Sequence, residues 1–374
     1  MKTDLFNYDL PPELVAQHPP ERRELARMMV LHRESGRIEH RCITDIVEYL
    51  EAPDVLVVNN TKVIPARIFG TKASGGKVEL LLLEETEAVG TAVPPARRSL
   101  GVGGSRPRRC GDTPPYPLQQ CWKVLMKTSR RPRVGDHMSL CSGKAAATML
   151  YDGEQGEAVL KIESDRPLME ILDEEGVPPL PPYIARKAQT PEQVEADKIR
   201  YQTVFAKNPG SAAAPTAGLH FTPDIFATLE KRGVSKAELT LHVGLGTFRP
   251  VSAEIITDHE MHHERFSISS NAAETINAAR QNGGRVIAVG STSVRTLESV
   301  VPLQAKEGST NIFIHPPYDF QNVDSILTNF HLPKSTLLMM MSAFAGREPM
   351  LHAYETAVAE QYRFFSYGDC MLIL

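Results

Sequence analysis

Apolar residues recur with two periods along this chain, and the switch between them divides it. Val55 to Asn59 is a compact apolar run of strand length, and Lys62 to Gly70 and Lys77 to Glu84 read as further strands. Periodicity then breaks from about residue 88 to 120, where Pro94-Pro95, Gly103-Gly104 and Pro114-Pro115 stand among arginines; such a stretch predicts a disordered loop. Strand patterns resume at Cys121 to Lys127, His137 to Cys141, Ala146 to Tyr151 and Glu157 to Ile162, with turns at Gly135-Asp136 and Asp152-Gly153. Short, closely spaced strands predict a small barrel or sandwich. After Ile162 the pattern becomes α/β. Thr222-Pro223-Asp224 starts a helix that Gly233 closes, and Lys236 to Val243 is the next strand. Asn271 with Glu274 opens another helix ending at Gly283-Gly284, and Arg285 to Gly290 is a buried strand running into Ser291-Thr292-Ser293. The expected fold is α/β: a mixed α/β main domain (residues 1–65 and 153–374) interrupted by an inserted small β-barrel domain (residues 66–152).

A chain of 374 residues, 42% hydrophobic and 23% charged, is long and apolar enough for two or three domains with a sizeable core. Met1 to Glu13 mixes Lys2, Asp4 and Asp9 with proline and does not read as a signal peptide. The longest apolar run, Leu337 to Phe344, is less than half the roughly 20 residues of a membrane span. Cys42, Cys110, Cys121, Cys141 and Cys370 form an odd, scattered set without a C-x-x-C pair, which favours reduced thiols and a cytoplasmic setting over disulfides or a zinc knuckle. The formal charge of −4 is no global signature of a nucleic-acid binder. A local patch exists instead. Ten Lys and Arg residues from Arg97 to Arg133, including Arg130, Arg131 and Arg133, face only Asp112 in acidic charge.

Three segments carry candidate chemistry. Strand, turn and helix at Val286 to Arg295 make an arrangement whose free N–H groups and hydroxyls suit a carboxylate or phosphate, although Ser291 to Ser293 fit a plain helix cap equally well. It is no dinucleotide fingerprint, since G-x-G-x-x-G is absent. Ala213 to Phe221 is a loop of small residues with His220 beside a helix cap, and Leu241 to Phe248 is a strand ending in a glycine loop. A lone histidine in either place is more often structural than catalytic. Asp258 to Glu264 is the densest ionisable cluster. Its His259-Glu260-Met261-His262-His263 satisfies H-E-x-x-H, but zinc binding needs a continuing helix, and Arg265 to Ile268 already alternates like a strand. A solvated turn and an acid/base site remain.

With these segments in view, the chain resembles the family of S-adenosylmethionine:tRNA ribosyltransferase-isomerases of queuosine synthesis. The resemblance runs through Asp54 to Arg67, Tyr201 to Phe205, Ala214 to Phe221, Leu241 to Gly244 with Gly246 to Phe248, Val289 to Ser299, Thr328 to Leu337 and Tyr362 to Asp369. It covers nearly the whole chain. Departures are Ala26-Arg27-Met28 for the usual Ser-Arg-Leu, Ser291 for a threonine, His315-Pro316-Pro317-Tyr318 for a tyrosine-proline-glycine turn, and the Pro/Arg-rich segment. The acidic-histidine block resembles D-H-x-M-H-x-E, which leaves Glu260 and His263 outside the pattern and makes the zincin match accidental.

The resemblance implies that the aminomethyl group of 7-aminomethyl-7-deazaguanine, already in a tRNA anticodon, attacks the ribosyl part of S-adenosylmethionine. Adenine and methionine leave, and the sugar closes to the epoxide of epoxyqueuosine. It implies S-adenosylmethionine as co-substrate, no further cofactor and no metal, tRNA as partner, no membrane, and a monomeric chain. Asp258, His262, His220 and His242 are then the catalytic candidates, because a neutral attacking amine calls for a base near pH 7 and adenine departure for an acid. Ser291, Thr292, Ser293, Arg295, Thr216 and Gly218 are the candidates for holding S-adenosylmethionine, and Arg130, Arg131, Arg133, Lys62 and Arg67 for nucleic acid. A methyltransferase and a non-catalytic RNA-binding module are the competing classes; the lack of a glycine-rich motif after the first strand speaks against the former.

Overall fold

The computed structural model describes residues 1–86, 118–186, 190–244 and 253–374. Residues 1–63 and 180–374 form one compact unit and residues 64–179 another. The first part of the chain supplies β1 (Arg27–His32), β2 (Arg37–Cys42), β3 (Val55–Asn59) and β4 (Thr61–Val63). The middle supplies β5 (Arg67–Lys72), β6 (Lys77–Thr86), β7 (Leu118–Thr128), β8 (His137–Leu140), β9 (Ala145–Asp152) and β10 (Glu157–Ser164), then helix α1 (Leu168–Glu175). The remainder holds helices α2 (Pro191–Arg200), α3 (Pro223–Lys231), α4 (Ser270–Gln281), α5 (Gly290–Glu298), α6 (Thr336–Ala345) and α7 (Arg347–Ala359). Its strands are β11 (Asn208–Ser211), β12 (Ser235–Leu241), β13 (Glu264–Ile268), β14 (Val286–Val289), β15 (Lys306–Thr310), β16 (Ser325–Asn329) and β17 (Cys370–Ile373).

The first unit is built on a nine-stranded sheet in the order β15-β13-β12-β3-β14-β16-β17-β1-β2. Its centre, β12-β3-β14-β16, is parallel. Parallel strands need cover on both faces, and β3 shows why its run is continuously apolar. Val55 and Val57 pack with α4 to α7, while Leu56 and Val58 pack with Ile225 and Leu229 of α3 and with Ile43 and Ile46. Asp54, at the mouth of β3, accepts the Arg285 backbone N–H (2.8 Å) and pairs with its guanidinium (2.5 Å). Burial pushes the Asp54 carboxyl up, but the Arg285 hydrogen bonds prevail and hold it below its ordinary range.

The second unit is a closed barrel in the order β10-β7-β6-β5-β8-β9. Alternate residues of β10, namely Ala158, Leu160 and Ile162, face its core together with Val124 and Leu80. The α/β unit and the β-barrel expected from the pattern are both present, with corrected borders. The barrel closes only when β10 pairs both β7 and β9, and α1 packs Ile171 and Leu172 into its core; the compact unit therefore runs to 179, beyond residue 152. Leu118 to Gln120, expected in the irregular loop, pair with β10. Residues 87–117, the rest of that loop, lie outside the described residues, as do the basic positions Arg97 to Arg109. The expected strand from Lys62 to Gly70 is two strands, interrupted at Ile64-Pro65-Ala66. The cap of helix α4 lies two residues before the expected Asn271, because the Ser269 hydroxyl accepts the Ala272 N–H (3.2 Å). Thr222 caps α3 as expected, accepting from Ile225 (3.3 Å).

Candidate active site

Strands β3, β12, β14 and β16 are parallel, so their carboxyl ends lie along one edge of the sheet, where α/β folds place ligands. A cavity of about 450 Å³ opens there. Its wall is built from Val243 after β12, Gly290 to Thr292 after β14, Thr328 to Thr336 around the end of β16, and Ala213 to Ala217. Tyr183, Tyr201, Phe365 and Ser366 complete it. The volume is in the range of small-molecule sites.

Helix α5 points its first turn at this space. Gly290 takes φ +82 at the strand-to-helix turn, and the N-cap Val289 offers no side-chain cap, so among the described residues the first N–H groups of the helix have no capping side chain. Ser291 and Thr292 line the cavity, and the buried Thr292 hydroxyl has no partner among the described residues. Ser293 points elsewhere: its hydroxyl donates to the Val289 carbonyl (2.8 Å). Arg295 is buried and bound to Glu264, whose other oxygen accepts the Gly244 N–H (3.0 Å); it is absent from the cavity wall. Thr216 lines the cavity at the start of a short 3-10 turn, Thr216–His220. Gly218 serves packing instead, since a Cβ there would stand 2.6 Å from the Phe205 ring.

The histidines divide by burial. His220 is fully enclosed, its Nε2 accepting from Asn329 Nδ2 (3.1 Å); burial, then the charges of Arg23 and Arg363, push its pKa down to about 3. His331, which lines the cavity, meets the Thr328 hydroxyl through Nε2 (2.7 Å) and is also pushed down to about 3 by burial. Both are neutral at pH 7. His242 binds Thr61 through Nδ1 (2.8 Å) and is lowered by burial and by Arg265; it does not line the cavity. Asp258 and His262 are exposed, Asp258 at the end of the 3-10 turn Ile256–Asp258 and His262 in the loop from there to β13. That loop leads into a strand and not a helix, which removes the zincin geometry. Gly246, Thr247 and Phe248 lie outside the described residues.

The matches to known proteins agree with this arrangement. Residues 3–373 match the family described as Queuosine biosynthesis protein. The chain belongs to the queuosine biosynthesis protein family. It is similar to the solved structure of the S-adenosylmethionine tRNA ribosyltransferase of Thermotoga maritima, with 34% identity, 99% of this chain and 100% of that chain covered, and a TM-score of 0.51.

For a queuosine biosynthesis protein, the charged positions expected to meet RNA differ in availability. Arg67 pairs with Glu79 (2.7 Å) and Arg131 with Asp152. Lys62, Arg130 and Arg133 are exposed and form no ion pair among the described residues. No group of three His, Cys, Asp or Glu side chains suited to a metal exists among the described residues, and no described helix is long and apolar enough to cross a membrane. Sequence reasoning passed over Asn329, His331, Tyr183 and Phe365 as site residues, although three of them sit inside family-like stretches. The available signal was positional: Asn329 ends a buried parallel strand, the place where a polar side chain faces a ligand.

Proposed function

We propose that this chain binds S-adenosylmethionine in the cavity at the strand ends and transfers its ribosyl group to 7-aminomethyl-7-deazaguanine in tRNA, isomerising it to the epoxide of epoxyqueuosine. The observation that carries the reading is the start of α5, without a side-chain cap from Val289, and the Thr292 hydroxyl, unpartnered among the described residues, both in the cavity wall at the carboxyl edge of the sheet. Helix N–H groups and a free hydroxyl suit the methionine carboxylate of S-adenosylmethionine. Membership of the family and likeness to a ribosyltransferase support the same reaction.

The chemistry asks little else of the protein. The sulfonium makes the ribose 5′ carbon electrophilic and its C–H acidic. The attacking amine must be neutral, so one proton has to leave it. His331 stands on the cavity wall, but an imidazole that stays unprotonated down to about pH 3 is a poor acceptor for an amine's proton, so its part is to hydrogen-bond the substrate. The exposed Asp258–His262 loop is then the source of acid–base groups. The partner is tRNA, with exposed Lys62, Arg130 and Arg133 as phosphate contacts, in a cytoplasmic monomer.

Incubating pure protein with labelled S-adenosylmethionine and precursor tRNA tests the reading. Adenine release with label on the tRNA is the expected result. S-adenosylhomocysteine would make the chain a methyltransferase, and tRNA binding with neither product would make it a binding module.

A further inference from the structure

We infer that Asn329 and the ring pair Tyr183–Phe365 form a subsite for a purine-type ring that presents an N–H donor on its edge. This rests on the reading of the cavity as the substrate site and names what one part of it recognises.

The first observation is hydrogen-bond arithmetic at Asn329. Its amide nitrogen has two hydrogens and faces three acceptors: His220 Nε2 (3.1 Å), the Phe365 carbonyl (3.1 Å) and the Asp369 carbonyl (3.3 Å). Turning the amide over would set oxygen against two carbonyl oxygens, so its orientation is fixed. The oxygen Oδ1 is thereby committed to the other side. It is buried without a partner among the described residues, in a residue that is 3% exposed and lines the cavity. An amide oxygen can only accept. A buried acceptor with no donor is unfavourable, and a ligand N–H or O–H removes that cost.

The second observation is independent. Phe365 takes φ +71, a conformation that a bulky aromatic residue rarely adopts. Three hydrogen bonds hold it there: its N–H donates to the Phe330 carbonyl (3.1 Å), and its own carbonyl accepts from Asn329 and from the Gly368 N–H (2.8 Å). The backbone is thus clamped so that an aromatic ring stands in the cavity wall, 4.2 Å from the ring of Tyr183. The same side chain, Asn329, that fixes the Phe365 carbonyl carries the unpartnered oxygen. A flat ring stacked on this wall with an N–H turned to Oδ1 meets both features. Two reaction components have that chemistry: the adenine of S-adenosylmethionine, through its exocyclic amine, and the deazaguanine of the tRNA.

Calorimetric titration of the full chain decides it. The ligands are adenosine, N6,N6-dimethyladenosine and free 7-aminomethyl-7-deazaguanine; the proteins are wild type, Phe365→Asn and Phe365→Tyr. Asparagine tolerates positive φ, so Phe365→Asn removes the ring without adding backbone strain. It is expected to weaken one of the two rings by about ten- to a hundredfold, while Phe365→Tyr keeps wild-type affinity. If that ring is adenine, wild type also loses about tenfold or more on N6,N6-dimethyladenosine, which has no N–H to give; if it is deazaguanine, the subsite serves the tRNA base. Unchanged affinity for both rings in Phe365→Asn, in a protein whose wild type releases adenine normally, overturns the inference and leaves the activity standing. Ring binding sensitive to Phe365→Asn in a protein that releases no adenine supports the subsite and overturns the activity.

Discussion

At the scale of single residues, burial decides what each candidate can do. His220 and His331 stay neutral in the folded chain down to about pH 3, whereas an unfolded imidazole takes its proton near 6.5. Between those values the unfolded state binds the extra proton, so stability falls as pH falls, by about 1.4 kcal/mol per pH unit for each histidine, and is fully present above 6.5. Urea midpoints at stepped pH should therefore show a shallower slope in His331→Gln than in wild type; equal slopes would mean that His331 is protonated in the native state. The same variant separates a binding role from an acid–base one. His262→Ala is expected to lower adenine release by about 10²–10⁴, the usual worth of general acid–base catalysis, and His331→Gln, which removes an imidazole that resists protonation, to change it by less than about tenfold. The opposite pair of results would give the proton transfer to His331.

At the scale of elements, the loop from Tyr362 to Asp369 shows how local geometry holds a site. Gly368 donates to the Phe365 carbonyl, and a Cβ on it would stand 2.3 Å from the Arg363 carbonyl oxygen and 2.6 Å from the backbone carbon of Phe364. Backbone cannot swing aside as a side chain can. Gly368→Ala should cost about 1–3 kcal/mol or more and slow adenine release together with it. Gly36→Ala is the control: its φ is +70 but nothing stands within 4 Å, so it carries backbone strain alone, about 1 kcal/mol. Equal losses in the two variants would refute the collision. The elements themselves were readable where the signal is local. Thr222-Pro223 capped α3 as expected because a hydroxyl and a fixed φ act within one turn. The start of α4 was misplaced because Ser269, Ser270 and Asn271 all suit a cap, and only the path of the chain selects Ser269.

At the scale of the whole molecule, the barrel and the α/β unit are separate accounts. Strands β6 and β7 pair from Val78 with Thr128 to Thr86 with Cys121, so their facing ends are already held together. Replacing residues 89–115 by a short glycine-serine turn should leave the thermal midpoint nearly unchanged, since doubling a loop's length changes closure entropy by only about 0.6 kcal/mol. A fall of many degrees would mean that the segment contributes packing. For RNA, reversing Arg130 and Arg133 should weaken tRNA binding and reduce the slope of log affinity against log salt by roughly 0.7–0.9 per lost phosphate contact. Undiminished affinity would remove the barrel patch from the interface.

Much followed from the sequence by itself. Two periods of apolar residues separated barrel from α/β sheet, because burying one face or two is a property of neighbouring positions. The Ser291-Thr292 turn follows a buried parallel strand, which places it at the carboxyl edge of the sheet for the same reason. Tertiary structure decided the rest. It turned Ser293 back onto its own helix, bound Arg295 to Glu264, and left the Thr292 hydroxyl without a partner among the described residues. It also brought Tyr183, Asn329 and Phe365, from three distant segments, into one wall. No local pattern could announce that wall, because a side chain's partners, and so its charge state and its freedom to meet a ligand, are set by whatever the fold packs against it.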